Sequence, residues 1–518
     1  MDEKIIALGL AIVVFFWGII GLSNLGFSLL NTVFWVYLFY KYPKLREDNV
    51  GLTWAILSLG LGWMVALRDF ELVKFLSIVA TFGLNTLTSA RVKDLKSEIN
   101  PVKIVTTVTE TIARALAELI STITNVKLNV NSKKVPLGKI GIGVMMGIPL
   151  VLLFGGLLFS ADPVFAQIIK SINLPKININ PETVGRLILA GWFFGQALAM
   201  VGAKFGGNIK TNFELKQITE VNIAVGMVEV LFLIYTFVQI RYFGINGDEL
   251  QAMSITYSEY TRRGYAELIV TSLLAWAMVL GLDMTLLWQK KLKINQTKIT
   301  KVLGTMILGH VVLFVASATR RNLLYLGAYG FTRVRLLGMA LSIWIIVVAV
   351  LTLIKLLKNR SQDFFSKGLI TITAFAILGL NIANIDRTII KYRRASLPTG
   401  VDYRYLSDLS NDAWEGWKEV LEGQLGRVAE EIKAGRWSDE KVRDLGLVIG
   451  ALSSKQDQLN RQSEKYWQYG GGLNLAGWQS KKMLESIPEL KRIREELTNS
   501  QKDPTTIFID EAKRQNKD

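Results

Sequence analysis

The sequence predicts an all-α fold, a polytopic bundle of transmembrane helices followed by a small C-terminal helical domain. Three observations carry that prediction. Half of the 518 residues are hydrophobic and the mean hydropathy is +0.32, too apolar for an ordinary soluble chain of this length. The apolar residues come in long blocks, among them 5–22, 51–67, 137–159 and 336–354, which approach or reach the roughly 20 residues that cross a hydrocarbon core of about 30 Å. A segment in lipid must satisfy its own backbone hydrogen bonds, and the alternating strands of a barrel are missing, so the blocks are read as helices.

Taken in order, the blocks give roughly eleven spans, at 5–22, 25–40, 51–67, 71–89, 137–159, 184–203, 220–240, 266–288, 302–318, 334–356 and 368–384. The first follows Met1, Asp2, Glu3 and Lys4 without the basic stretch of a cleavable signal, so it is expected to be retained. Ser23 and Asn24 join it to the second with almost no loop. With the N-terminus inside, the inner loops carry most of the basic residues, including Lys41, Lys44, Arg46, Lys290 and Lys301. This favours a cytoplasmic N-terminus, and an odd number of spans then places the C-terminal domain outside. Two further segments have the periodicity of amphipathic interfacial helices. One starts at Asn100-Pro101; the other starts at Asp162-Pro163, where Asp162 can cap and Val164, Phe165, Ile168 and Ile169 supply the apolar face.

After about Asp386 the composition turns charged and polar, yet Trp414, Trp417, Trp437, Trp467 and Trp478 punctuate it, which fits a folded helical domain better than disorder. The expected organisation is a four-span segment at 1–90, an amphipathic linker at 91–136, a core membrane domain at 137–386, a soluble helical domain at 387–498 and a tail at 499–518.

The formal charge of +17 finds its explanation in inner loops facing anionic lipid head groups rather than in nucleic acid, since no stripe of basic and aromatic residues lies outside the spans. There is no Cys and one His, which excludes thiol nucleophiles, thiolate metal sites and bis-His zinc sites. No cofactor, metal or catalytic signature is found, and no Gly-rich run suited to phosphate appears.

Two polar clusters stand out at span ends. The first holds Tyr257, Glu259, Tyr260, Arg262, Arg263 and Glu267, with Glu259, Arg263 and Glu267 spaced as a helical charge ladder. The second holds Arg320, Arg321, Tyr325, Tyr329 and Arg335. Arginine on the expected outer side suggests recognition of an anion or head group; the bland alternative is an aromatic belt with salt-bridged arginines. Glu229 lies well inside an apolar span, where an ionisable group is costly and suggests a functional site facing the bundle interior; the competing reading is a protonated or hydrogen-bonded packing residue paired with Gln196. His310, also inside a span, is expected to be a hydrogen-bonded core residue. Asp283, near a span end, is expected at the interface.

Ser160-Ala-Asp-Pro-Val-Phe165, Gln239, Tyr242 to Gly244, Thr256 to Glu267, Ser317 to Arg321 with Leu324 and Tyr325, Tyr329 to Thr332 and Arg335 occur in an order that resembles a bacterial membrane family. That family is the domain of unknown function 4173, related to 4153. Asn381, Asp386, Asp402, Tyr403, Asp412 and Asn474 to Trp478 resemble its C-terminal pattern, and the likeness covers roughly 140–480. It implies a multi-pass protein of the bacterial inner membrane with a short C-terminal domain, and no agreed activity. It also implies Asn in many relatives at the position of Glu229.

Two functions remain open from the sequence. One is transport or handling of an anionic or lipid-like substrate at the Tyr/Glu/Arg clusters. The other is a non-enzymatic sensor or scaffold whose C-terminal domain binds a protein partner. The lipid bilayer is the expected partner in both.

Overall fold

The computed structural model describes residues 24–91, 139–162, 165–166, 218–242, 264–292, 297–392, 394, 396–397, 400–433, 446, 448–450, 452, 454–455 and 474–486. Among the described residues nine longer helices come first: α1 (Leu25–Lys41), α2 (Asn49–Leu67), α3 (Glu71–Arg91), α4 (Lys139–Ala161), α5 (Ile218–Tyr242), α6 (Tyr265–Leu292), α7 (Thr297–Tyr329), α8 (Arg333–Lys358) and α9 (Gln362–Ala383). The short α10 (Ile385–Lys391) leads to a two-residue antiparallel ladder of β1 (Ser396–Leu397) and β2 (Gly400–Val401). The helices α11 (Tyr403–Ser407), α12 (Trp414–Lys433) and α13 (Leu475–Glu485) follow.

Six stretches of the described residues are long and apolar enough to cross a bilayer: Asn49–Leu67, Val221–Gln239, Tyr265–Asp283, Lys298–Tyr329, Arg333–Lys358 and Gln362–Lys391. These are the helices an integral membrane protein requires, and they stand against the expected count of about eleven. The expected spans at 5–22 and 184–203 lie outside the described residues. Those at 25–40 and 71–89 form helices outside this set: α1 has only 17 residues, and side chains near the C-terminal end of α3 lie outside the described residues. Of α4, the described part counts as a shorter apolar helix, Leu150–Ala161.

The chain forms two compact units, each discontinuous in sequence: 1–98 with 326–340 and 370–518, and 99–325 with 341–369. The helices α7, α8 and α9 each contribute to both.

In the first unit, α1, α2 and α3 are tied by a polar knot among apolar surfaces. Trp35 Nε1 donates to Ser58 Oγ (2.8 Å), Ser58 Oγ donates to Asn85 Oδ1 (2.7 Å), and Asn85 and Asn31 complete the ring through Asn31 Oδ1 (2.9 Å) and the Ser58 carbonyl (2.9 Å). Where lipid removes the hydrophobic drive between helices, such satisfied side-chain bonds help to hold them together. Trp54 Nε1 donates to Thr371 Oγ1 (3.0 Å), which fixes α9 to α2. The C-terminal part has its own core of Ile389, Ile390, Leu406, Trp417, Leu421 and Ile449.

The second unit packs α4, α5, α6, α7 and the inner part of α8 around Leu158, Phe232, Val279, Val311, Phe314 and Ala349. Apolar side chains also face outward, including Leu233, Ile234 and Phe237 on α5 and Val302 and Leu313 on α7. A helix apolar all round belongs in lipid or deep in a core. At one end of this unit Asp283, expected at the interface, is buried and paired with Lys355, and Gln362 also donates to it (3.0 Å).

Candidate functional site

Side chains at helical spacing make a polar seam along α5 and α7 inside the second unit. On α5 the face reads Asn222, Glu229, Phe232, Tyr235, Gln239; on α7 it reads Thr300, His310, Phe314, Ser317, Arg321. The two helices run side by side in the same direction, so the faces meet as rungs. Thr300 Oγ1 donates to Asn222 Oδ1 (3.1 Å), His310 Nδ1 lies 3.2 Å from Glu229 Oε1, and Ser317 Oγ donates to Gln239 Oε1 (3.3 Å). Ten residues of α5 separate Glu229 from Gln239, about 15 Å of rise.

The middle rung is the unusual one. Both side chains are buried, at 7% exposure for His310 and 4% for Glu229. His310 Nδ1 also sits 3.1 Å from the Met306 carbonyl. A carbonyl oxygen can only accept, so a hydrogen bond between the two is donated by Nδ1. Neither carboxylate oxygen of Glu229 receives a hydrogen bond among the described residues. An acid and an imidazole in contact within apolar helices, with the Phe232 and Phe314 rings against the imidazole, can store or pass a proton.

At one end of the seam Asp162 gathers three elements. Its Oδ1 accepts from Phe165 N (3.0 Å), the cap expected of it. Its Oδ2 takes the Arg321 guanidinium (Nη2, 2.5 Å) and the Gln239 amide, and Arg321 Nη1 donates to the Ala161 carbonyl (2.8 Å). Both charged side chains are 2% exposed. Gly264, at φ +90°, lies against this clasp, and a Cβ there would collide with the Ala161 carbonyl and the Arg321 guanidinium. Glu267 Oε2 accepts from Gly264 N (3.0 Å) and so starts α6.

The structure places the residues singled out from the sequence as follows. Arg321 lies in the clasp and Glu267 at its edge. Arg320 and Tyr325 are half-buried on α7. In the first unit, Arg335 donates to the carbonyls of Tyr329 (2.9 Å) and Gly330 (2.6 Å) and stands over the Tyr329 ring at 5.9 Å. Tyr257, Glu259, Tyr260, Arg262, Arg263 and Gln196 lie outside the described residues. Sequence reasoning did not single out Gln239 or Ser317 as site residues, nor Asp162 as an ion-pair partner. A buried arginine requires a carboxylate, and that rule would have pointed from Arg321 to Asp162.

A second polar centre, in the first unit, fastens the C-terminal part to helix ends. Asp386 takes Arg333 in a two-pronged pair (Nε 2.7 Å, Nη2 2.5 Å) and accepts from Ser410 N (2.7 Å). Asp412 Oδ2 accepts from the backbones of Asp69 and Phe70 (2.9 Å each), and Asn474 donates to the Arg68 carbonyl (2.6 Å). Lys455 donates to the Leu409 carbonyl. Burial pushes the Asp412 carboxyl above its ordinary value, against the two backbone N–H groups that favour the anion. Burial pushes the Lys455 ammonium down to about 8, against the pull of Asp386 and Asp69. Burial also raises the Tyr405 phenol, whose oxygen accepts from Arg333 N (2.7 Å).

A family model described as a domain of unknown function (DUF4153) matches residues 53–419. The chain belongs to this family. The match takes in Asp162, Gln239, Arg321, Asp386 and Asp412, and it begins earlier and ends earlier than the likeness read from motifs. No curated protein and no solved structure matches the chain. Within this DUF4153 chain, four motifs dispersed in sequence, at Asp162 to Phe165, Gln239, Gly264 to Glu267 and Ser317 to Arg321, meet at the clasp.

Proposed function

We propose that this chain is a multi-pass transport protein of a bacterial inner membrane, moving an anionic or lipid-like substrate with a proton carried by Glu229 and His310. The observation that carries the reading is the middle rung: a contacting acid and imidazole at mid-span, with the carboxylate oxygens unbonded among the described residues. An ionisable pair in that setting is costly to keep and is the default mark of a proton or ion pathway. The anionic class is supported, within the second unit, by the two successive guanidinium groups at Arg320 and Arg321 towards the C-terminal end of α7. Since relatives are expected to carry Asn where this chain has Glu229, the proton role is proposed for this chain and not for the family.

The orientation proposed is a cytoplasmic basic face with the C-terminal domain outside. In the first unit the turn between α1 and α2 carries Lys41, Lys44 and Arg46, whereas the opposite helix ends meet Asp412 and Asn474. Basic residues concentrate on the cytoplasmic side of membrane helices.

The test is proton uptake into liposomes that hold the full chain and a trapped pH dye. Wild-type uptake should exceed that of empty liposomes, with Glu229→Gln reducing it to their level and His310→Gln lowering it. Uptake by Glu229→Gln equal to wild type would end the proton reading. The scaffold reading is favoured by one feature, Trp478, half exposed on α13 with Lys482 over its ring at 5.4 Å. It requires a partner that is lost on Trp478→Ala.

A further inference from the structure

Between the Glu229–His310 pair and the Asp162–Arg321 clasp lies a layer of five rings. Phe154 meets Phe232 (centroids 5.1 Å), Phe232 meets Phe314 (5.0 Å), Phe314 meets Tyr235 (5.4 Å), and Tyr235 meets Phe165 (5.1 Å), all edge to face. None of the five is more than 2% exposed. On the inner side of the layer, the His310 ring contacts Phe232 (5.8 Å) and Phe314 (5.9 Å). On the outer side, Phe165 is fixed through its backbone N–H by Asp162 Oδ1, and Asp162 is in turn fixed by Arg321 and Gln239. Each link from Arg321 to Glu229 is therefore a direct contact.

We infer that the Asp162–Arg321 clasp is the latch of an aromatic gate, and that releasing it withdraws Phe165 and admits water to Glu229 and His310 through the Gln239–Ser317 rung. This rests on the proton reading above and adds how access to the site is controlled. Closely packed edge-to-face rings leave no room for a water file, so protons cross only in the fraction of molecules whose layer has opened. The latch also has a natural key. A carboxylate or phosphate that competes for the Arg321 fork takes the place of the Asp162 oxygen, and Asp162 then loses the charged one of the partners that position it. Arrival of an anionic substrate would thus be what opens the proton site.

Among the described side chains, no other carboxylate, amine or guanidinium of the elements packed on the pair lies at its level. α4 has none between Lys139 and Asp162. α6 carries Glu267 at the clasp end and Asp283 at the other. α7 carries Lys298 and Lys301 at one end and Arg320 and Arg321 at the other, and the part of α8 in this unit carries Lys355, paired with Asp283, and Lys358 at its C-terminal end. The response to latch release is therefore assigned to Glu229 and His310.

Two measurements on the full chain in liposomes test this. The first is voltage-driven proton entry. Phe165→Leu, which removes the ring and leaves every ionisable group, and Asp162→Asn should each raise entry at least about tenfold, a shift of ~1.4 kcal/mol in the closed-to-open balance. Adding Glu229→Gln to either should return it to the level of empty liposomes. The second is labelling by a water-soluble carbodiimide, read by peptide mass spectrometry. Glu229 should stay unlabelled in wild type and become labelled in Phe165→Leu, while buried Asp283 stays unlabelled in both. Labelling of Asp283 alongside Glu229, or wild-type entry and labelling in both variants, would overturn the latch. If Glu229→Gln nonetheless abolishes wild-type uptake, the proton reading stands without it; if Glu229→Gln changes nothing, the proton reading itself falls.

Discussion

Asp386→Ala should loosen the attachment of the C-terminal part of the first unit by about 4 kcal/mol. Asp386 is fully buried and Arg333 is a quarter exposed. Removing one member of a buried ion pair costs roughly 3–5 kcal/mol, because the other is left uncompensated. The partial exposure of Arg333 and its stacking over Phe70 at 4.6 Å leave the guanidinium somewhere to go, which argues for the lower bound of about 3 kcal/mol. Ser410 N–H loses its acceptor as well, at about 1 kcal/mol. Native-state hydrogen exchange reads the sum: amides of α10 and α11 should lose about a thousandfold in protection, since each 1.36 kcal/mol is a factor of ten. Asp386→Asn keeps an acceptor for Ser410 and should lose about half as much free energy. A double-mutant cycle with Arg333→Leu should give a coupling of at least about 2 kcal/mol. A loss of protection below tenfold, or additivity of the two changes, would refute the reasoning.

Gly264→Ala should cost about 3–5 kcal/mol, combining a left-handed backbone with a collision against the Ala161 carbonyl, and should lower the melting temperature in detergent more than Gly281→Ala, where a Cβ meets nothing within 4 Å. Ser58→Val removes the hydroxyl shared by Trp35, Asn31 and Asn85, so about 1–3 kcal/mol should be lost in the same assay; a neutral result would show that the knot is dispensable. Lys455 gives a pH effect of definite sign. Its folded value of about 8 lies below the ordinary 10.5, so the unfolded chain holds more protons between the two and stability rises with pH across that window. Denaturant unfolding of the purified protein should show this rise, and Lys455→Met should flatten it.

Much of the helical framework was legible because long apolar blocks admit one secondary structure in lipid. Glu229 and His310 each stood out for the same reason, as ionisable residues in apolar stretches. Their contact was not legible, since it depends on α5 and α7 running in parallel, and nothing local to either helix encodes that. Asp162 was readable as a cap from the Asp-Pro step, whereas its second task, holding Arg321, requires the end of α7 to return beside the end of α4. Asp283 looked interfacial from its place near a span end; the ammonium of Lys355, a helix away, lets it stay buried. The two compact units exchange within α7, α8 and α9, and no shift in composition marks a boundary that falls inside a helix. The most motif-like stretch, Tyr257 to Arg263, lies outside the described residues.

The discontinuity of the first unit sets a schedule for synthesis. Trp54 finds Thr371 only 317 residues later, and the Arg68 carbonyl finds Asn474 after 406. At about 5–20 residues per second a ribosome needs roughly 20–80 s to supply the second of these partners. Through that interval the parts of α2 and of the turn after it that these partners meet stay unmatched while the whole of the second unit is made. A chain cut short before Asn474 would therefore leave its earliest helices incomplete, which makes the last quarter of the sequence a checkpoint for the first.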